Sequence, residues 1–148
     1  MRKFGFIGSY DKTDLIIYIA KILTELNQRV LVIDSTVTQK ARYTVPAIEP
    51  SKCYVTNYEG MDVAVGFHSL DLIEKYQMND LSCDYDIVLI DIDSTQSFKN
   101  FEMLNAEKNY FVTAFDNYSL KRGLEIIENI RAKNKNDKNI IFSRNVKR

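Results

Sequence analysis

Two short runs constrain this chain more than anything else in it: residues 29–34 (RVLVID) and residues 85–91 (YDIVLID). A strand with one wet face alternates apolar and polar residues. These two do not alternate, so each must be covered on both faces, the usual condition of strands inside a parallel sheet. Parallel neighbours cannot be joined by hairpins and need crossover connections, usually helical. The rest of the sequence supplies them.

Residues 3–8 (KFGFIG) read as a first strand. Asp11 is placed to cap the helix that follows, and Asp14 lies in its first turn, where the helix dipole favours an anion. Leu15, Ile16, Ile19, Ala20, Leu23 and Leu26 recur at helical spacing, and Asn27 is a plausible stop. Residues 35–50 have no period and contain both prolines, which predicts an irregular segment. Residues 53–56 and 61–67 read as short strands around the turn Tyr58-Glu59-Gly60, and Ser69 as the cap of a short helix through Tyr76. A helix over 97–105 is expected to bury Phe98, Phe101 and Leu104, followed by a strand over 109–115. Ser119 is expected to begin a helix with a buried stripe of Leu120, Leu124, Ile127 and Ile130, and 139–142 to form a final strand. This alternation, without internal repeat or dividing linker, predicts one three-layer α/β/α domain over residues 1–148 with a mostly parallel sheet.

Composition narrows the function classes. With 45% hydrophobic and 27% charged residues the chain can build an ordinary core, and no apolar run approaches the roughly 20 residues needed to span a bilayer. The opening Met1-Arg2-Lys3-Phe4 runs straight into a strand rather than a secretory leader. Twenty basic and twenty acidic residues cancel, which argues against a broad nucleic-acid surface, and the basic stretch from Arg131 onward reads as a solvated end. Cys53 and Cys83 have neither a zinc spacing nor a disulfide framework, so a reducing, cytoplasmic setting is expected. His68 is the single histidine, without a second to share a metal, and reads as a surface or boundary residue.

In sheets of this kind ligands bind beyond the carboxyl ends of the strands. The first strand with its turn, RVLVID, YDIVLID and the later run NYFVTAF-DNYSLKRGLEII together resemble the deviant Walker A ATPases of the MinD/ParA family, over essentially the whole chain. The resemblance implies a P-loop NTPase-like fold and, at four places, an expected chemistry. A phosphate loop needs glycines whose amides converge on the anion, then a lysine and a hydroxyl for phosphate and magnesium. Here it is Gly8-Ser9-Tyr10-Asp11-Lys12-Thr13, in which Lys12 and Thr13 match the family's Lys-Thr pair. Only three residues separate Gly8 from Lys12, against five in the usual spacing. Asp11 stands where glycine belongs, and the family's additional signature lysine has no counterpart. The reading favoured is that Lys12 and Thr13 are ordinary residues of a capped first turn.

The family's second strand ends Asp-x-Asp, the second acid orienting the attacking water. Asp34 matches the first, but Thr36 stands at the second and cannot serve as a carboxylate base. Asp91 matches the Walker B acid that supports magnesium, and Asp93 follows it. At the end, IIFSR resembles the family's strand-Asn-Arg segment, with Ser143 in place of the adenine-reading Asn, Arg144 at the Arg, and Asn145 two residues beyond Ser143.

The resemblance therefore implies a degenerate member: a non-hydrolysing pseudo-ATPase adaptor that binds protein partners, itself or an active relative included, and positions or regulates a secretion, pilus, conjugation or division apparatus. No catalytic residue and no cofactor is expected on this reading, and membrane association would be peripheral, through partners. The alternative is an active switch ATPase holding ATP through Lys12, Thr13, Asp34 and Asp91, with magnesium at Thr13 and Asp91. Family domains usually continue beyond the strand-Asn-Arg segment, so a reduced form or a piece of a longer domain is expected. A phospho-receiver lacks its acid pair here, since Gly8-Ser9 follows the first strand. A tyrosine-kinase reading lacks a tyrosine-rich tail, with none of the nine tyrosines beyond Tyr118.

Overall fold

The computed structural model describes residues 1–45 and 52–134, together with the backbone of a strand at Phe142–Val146. The elements run β1 (Arg2–Ile7), α1 (Thr13–Glu25), β2 (Val30–Asp34), α2 (Ala41–Thr44), β3 (Tyr54–Tyr58), β4 (Met61–Val65), α3 (Leu70–Gln77) and α4 (Leu81–Asp84). Then come β5 (Ile87–Ile92), α5 (Thr95–Asn100), a 3-10 turn (Met103–Asn105), β6 (Lys108–Thr113), α6 (Asn117–Lys133) and β7 (Phe142–Val146). The seven strands form one sheet in the order β3-β4-β2-β5-β1-β6-β7. All neighbours are parallel except β3, which returns on β4 as a hairpin through Glu59 and Gly60, both at positive φ.

The two non-alternating runs became β2 and β5, buried along their whole length and paired with each other in the middle of the sheet. Their side chains divide between two cores. Leu31, Ile33, Val88, Ile90 and Ile92 face the layer of α3, α4, α5 and α6, where Ile73, Leu81, Phe98 and Ile127 meet them. Val30, Val32, Ile87 and Leu89 face the opposite layer, where Ile16 and Ala20 of α1 and Ala41 of α2 meet them. This follows from right-handed crossovers: steps in one direction along a parallel sheet lie on one face, and α1, stepping the other way from β1 to β2, lies on the other.

Several sequence expectations shift. The cap of α6 is Asp116 rather than Ser119; its carboxylate accepts the Ser119 N–H at 2.8 Å and starts the helix earlier. The buried stripe is accordingly Ser119, Gly123, Ile126, Ile127 and Ile130, with Leu124 42% exposed. Gly123 sets that face, because a Cβ there would meet the Phe111 ring at 2.9 Å. The helix expected over 97–105 is broken after Asn100, where Glu102 takes the left-handed conformation, and Met103 rather than Leu104 fills the core. Leu26 lies past the end of α1 and is exposed, while Asn27 is the left-handed stop expected. Phe115 falls beyond β6 and is exposed. Ser69 caps α3 by accepting the Leu72 N–H, and His68 is exposed. Residues 139–141 lie outside those described, and the backbone of Ser143, Arg144 and Asn145 is inside β7 rather than after it.

Candidate functional site

β1 and β5 lie side by side, yet after β1 the chain leaves for α1 on one face and after β5 for α5 on the other. That divergence opens a crevice at their carboxyl ends, where folds of this kind bind ligands. The crevice is a cleft of about 270 Å³ lined by the 9–13 turn, Thr36, Val37, Thr38, Lys40, Asp91, Asp93, Ser94, Tyr118 and Arg122.

Lys12 is the N-cap residue of α1 and makes no side-chain cap. Its side chain turns inward and is 1% exposed. Nζ donates to the Gly8 carbonyl at 2.7 Å and, more weakly, to that of Tyr10 at 3.4 Å, and lies 2.8 Å from Oδ1 of Asp91. The last contact is a buried ion pair, and Oδ1 of Asp91 has no further partner among the described residues. Buried charges persist when paired in this way.

Asp91 comes from the second-to-last position of β5, and the parallel register sets it directly beside Asp34 of β2. Both acids point to the α1 side of the sheet, the side of Val30, Val32, Ile87 and Leu89. Burial pushes the Asp91 carboxyl up to about 6, Lys12 opposes that, and Asp34 and Asp93 add to it. Asp34 does not line the cleft. Its Oδ1 accepts the Thr36 N–H at 2.9 Å and the Thr36 hydroxyl, and its Oδ2 accepts the Ala41 N–H at 3.0 Å. Asp34 is thus engaged in closing the loop between β2 and α2, and Thr36 completes that loop.

Thr13, 7% exposed, opens α1. Its N–H donates to Oδ1 of Asp11 at 3.1 Å, so a carboxylate of the chain itself sits on an amide at the helix N-terminus, the place an anionic ligand would use. Asp11, expected as the helix cap, plays that part from one residue before the N-cap position. Its other oxygen pairs with Lys40 at 3.3 Å, and its carboxyl is held below the usual range by the Thr13 and Lys40 bonds, which outweigh partial burial. The glycine at the head of the turn has its own structural reason: a Cβ on Gly8 would lie 2.1 Å from the Val112 carbonyl of β6. A residue demanded by a neighbouring strand is weak evidence for a phosphate loop.

On the far wall Asp93 accepts the Val37 N–H through Oδ2 at 3.1 Å, while its buried Oδ1 has no hydrogen-bond partner among the described residues. The structure thus brings Lys12, Thr13 and Asp91 together and assigns Asp34 to a loop. The residues 143–145 contribute backbone only to what is described. Lys40 and Arg122 at the cleft were not legible, because each depends on how a loop and α6 meet the sheet end. Among the described residues no three His, Cys, Asp or Glu side chains are grouped to hold a metal. A magnesium nucleoside triphosphate at this place would have to displace the Lys12 ammonium from Gly8 O and Asp91 and the Asp11 carboxylate from the Thr13 amide.

No protein-family profile and no curated protein matches the sequence. Solved structures do match in shape. The cobyrinic acid a,c-diamide synthase of Mycobacterium smegmatis with bound ADP and magnesium aligns with a TM-score of 0.68 at 15% identity, over 99% of this chain and 74% of that one. A chain of the MinC:MinD cell division protein complex of Aquifex aeolicus gives 0.66 at 15% identity, over 99% and 68%. A plasmid partition protein of Borrelia burgdorferi gives 0.63 at 17% identity, over 98% and 78%. With the element order and switch-point crevice above, these likenesses establish that the chain has the P-loop NTPase-like α/β fold of MinD/ParA type.

Proposed function

We propose that this chain is a non-hydrolysing protein of MinD/ParA type, an adaptor that binds other proteins and positions or regulates a larger apparatus of the secretion, pilus, conjugation or division kind. Residues 1–148 serve as one domain in this reading, in the cytoplasm, pairing with a second copy or with an active relative and reaching membranes only through partners. The observation that carries it is Lys12. An ammonium that must meet phosphate is here buried against Gly8 O and Asp91. Asp11 occupies the Thr13 amide, and Thr36 replaces the water-orienting acid. Positioning and charge stabilisation are nearly all that phosphoryl transfer asks of a protein, and this site supplies neither to a ligand. The shape of the cleft is then set by its own charges and does not wait on nucleotide. In the Aquifex aeolicus complex the MinD fold meets a protein partner, which supports assigning a protein partner here.

The second reading, an active switch ATPase, has one observation in its favour: Lys12, Thr13 and Asp91 do converge on a cleft at the sheet end, and the Mycobacterium smegmatis relative holds ADP and magnesium. Lys12 and Thr13 would then hold phosphate, Thr13 and Asp91 magnesium. Isothermal titration with Mg-ATP separates the two. The adaptor reading expects no saturable heat, in the wild type and in Lys12→Ala alike. A saturable heat abolished by Lys12→Ala would establish the ATPase reading instead.

A further inference from the structure

The two edge strands of the sheet differ in how well they are guarded against another strand. β7 carries Arg144 in the middle of its sequence, the kind of residue that keeps foreign strands off an edge. β3 reads Tyr54-Val55-Thr56-Asn57-Tyr58, with no charge and no proline, and it follows β4 residue for residue without a bulge. Among the described residues nothing pairs with its outer edge. Val55 and Thr56 are partly exposed and Asn57 is exposed. An edge of this kind is a template for a further strand. The hairpin decides which groups it offers. Positive φ at both Glu59 and Gly60 marks a two-residue type I′ turn, so Tyr58 and Met61 exchange hydrogen bonds across it. Bonded and non-bonded pairs alternate along an antiparallel ladder, so Tyr54 and Thr56 are also bonded to β4. Val55 and Asn57 therefore turn their N–H and C=O groups away from the sheet.

We propose that the outer edge of β3 pairs with β3 of a second copy of this chain, antiparallel about a two-fold axis at Thr56. Antiparallel partners must match an outward residue to an outward residue, which restricts the axis to position 55, 56 or 57. Of these, only an axis at Thr56 pairs Val55 and Asn57 with each other within the strand. Val55 then meets the second copy's Asn57, twice over, and the two pairs exchange about four backbone hydrogen bonds.

The side chains agree with that register. Tyr54 comes opposite the second copy's Tyr58, both on the α1 side of the sheet, and Thr56 comes opposite Thr56; aromatic and threonine pairs of this kind favour a sheet. No like charges meet along the strand, because it has none. Just beyond its two ends stand Lys52 and Glu59, both exposed, and the two-fold axis brings each lysine beside the other copy's glutamate. Parallel pairing in register would set lysine against lysine and glutamate against glutamate. Charge thus selects the antiparallel arrangement, and the match of the strand to itself selects a second copy as the occupant. An isologous contact of this sort closes as a dimer. It gives a surface to the self-pairing in the adaptor reading and does not depend on whether the cleft takes nucleotide, which the Mg-ATP titration tests separately.

The test is sedimentation of the full chain, which is expected to pass from monomer at about 10 µM to largely dimer at about 1 mM, the weak association of an interface well below about 1,200 Å². Asn57→Pro removes an outward N–H and leaves the ladder to β4 intact, so it should weaken the dimer about tenfold or more in a chain that circular dichroism shows to be folded. Thr56→Lys and Thr56→Glu each set like charges face to face at the axis and should weaken it to a similar degree, about tenfold. An equimolar mixture of the two should dimerise at least as well as the wild type. By mass action, amide hydrogen exchange at Val55 and Asn57 should slow about threefold between about 50 µM and 1 mM, with a smaller change at Thr56 and Tyr58. A monomer at 1 mM, a dimer indifferent to Asn57→Pro, or a mixture no better than either Thr56 variant alone overturns the proposal. So does a chain that stays monomeric yet binds an unrelated strand peptide across Val55 and Asn57, since a partner's strand would then be the occupant.

Discussion

The buried pair of Lys12 and Asp91 gives a sharp prediction about stability. Lys12→Met keeps the stem and removes the ammonium, leaving the Asp91 carboxylate buried beside Asp34 and Asp93. Removing one partner of a buried pair usually costs about 3–5 kcal/mol. Here the loss is limited because Asp91 can take up a proton, its carboxyl being already raised to about 6 with Lys12 in place. We expect a loss of about 3 kcal/mol near neutral pH, a fall in Tm of roughly 6–12 °C for a domain of this size. Asp91→Leu strands the ammonium on the Gly8 and Tyr10 carbonyls and should cost a similar amount, about 3 kcal/mol. The double variant Lys12→Met/Asp91→Leu removes both charges and should lie within about 1–2 kcal/mol of the wild type. The cycle, measured by urea denaturation with unchanged m-values, should then give a coupling energy of about 3 kcal/mol or more. A coupling below about 0.5 kcal/mol would refute the reasoning, because it would mean the lysine spends its time elsewhere.

Other perturbations probe the same region. Asp91 is also a pH probe: its folded pKa, about 6, lies above its unfolded value, so its contribution is fully present below the unfolded pKa and is lost as pH rises through about 6. Subtracting the stability–pH profile of Asp91→Leu from that of the wild type should reveal a component of up to about 3 kcal/mol that falls from pH 4 to 7, and a component of opposite slope would contradict the assignment. Asp34→Ala removes the acceptor of the Thr36 and Ala41 amides and should cost about 2–4 kcal/mol, with faster hydrogen exchange at Ala41; unchanged exchange there would show that the loop closes without it. Gly8→Ala drives a methyl toward the Val112 carbonyl and should destabilise by about 3 kcal/mol whether or not any ligand binds. A neutral Gly8→Ala would return the glycine to a ligand-binding role.

How far the sequence reached depends on the kind of information each feature needs. The sheet was legible because RVLVID and YDIVLID, lacking alternation, admit only a strand covered on both faces, and β2 and β5 are those strands. Helix ends were less legible where a nearby residue competed for the cap: Asp116 displaced Ser119 and moved the buried stripe off Leu124. The buried Lys3 was not legible at all. It donates to the Phe101 and Glu102 carbonyls at 2.8 Å each, and nothing in strand periodicity announces a lysine that holds a turn across the sheet. At the site, Lys12, Thr13 and Asp91, singled out by motif position, line one cleft, because each lies at or just beyond the end of a strand. Asp34 was aligned by the same rule, yet its oxygens are taken by amides of a loop that has no periodic signal. The cleft residues Lys40 and Arg122 depend on packing between elements far apart in sequence, which no local pattern encodes.

The central claim, that the turn from Gly8 to Thr13 is closed on itself, is tested most directly by a crystal structure grown with a saturating non-hydrolysable ATP analogue and magnesium. The account expects Lys12 Nζ still against Gly8 O and Asp91, the Asp11 carboxylate still on the Thr13 amide, and no triphosphate inside the turn. A triphosphate cradled by the amides of residues 9–13, with Lys12 swung out onto its phosphates, would contradict it.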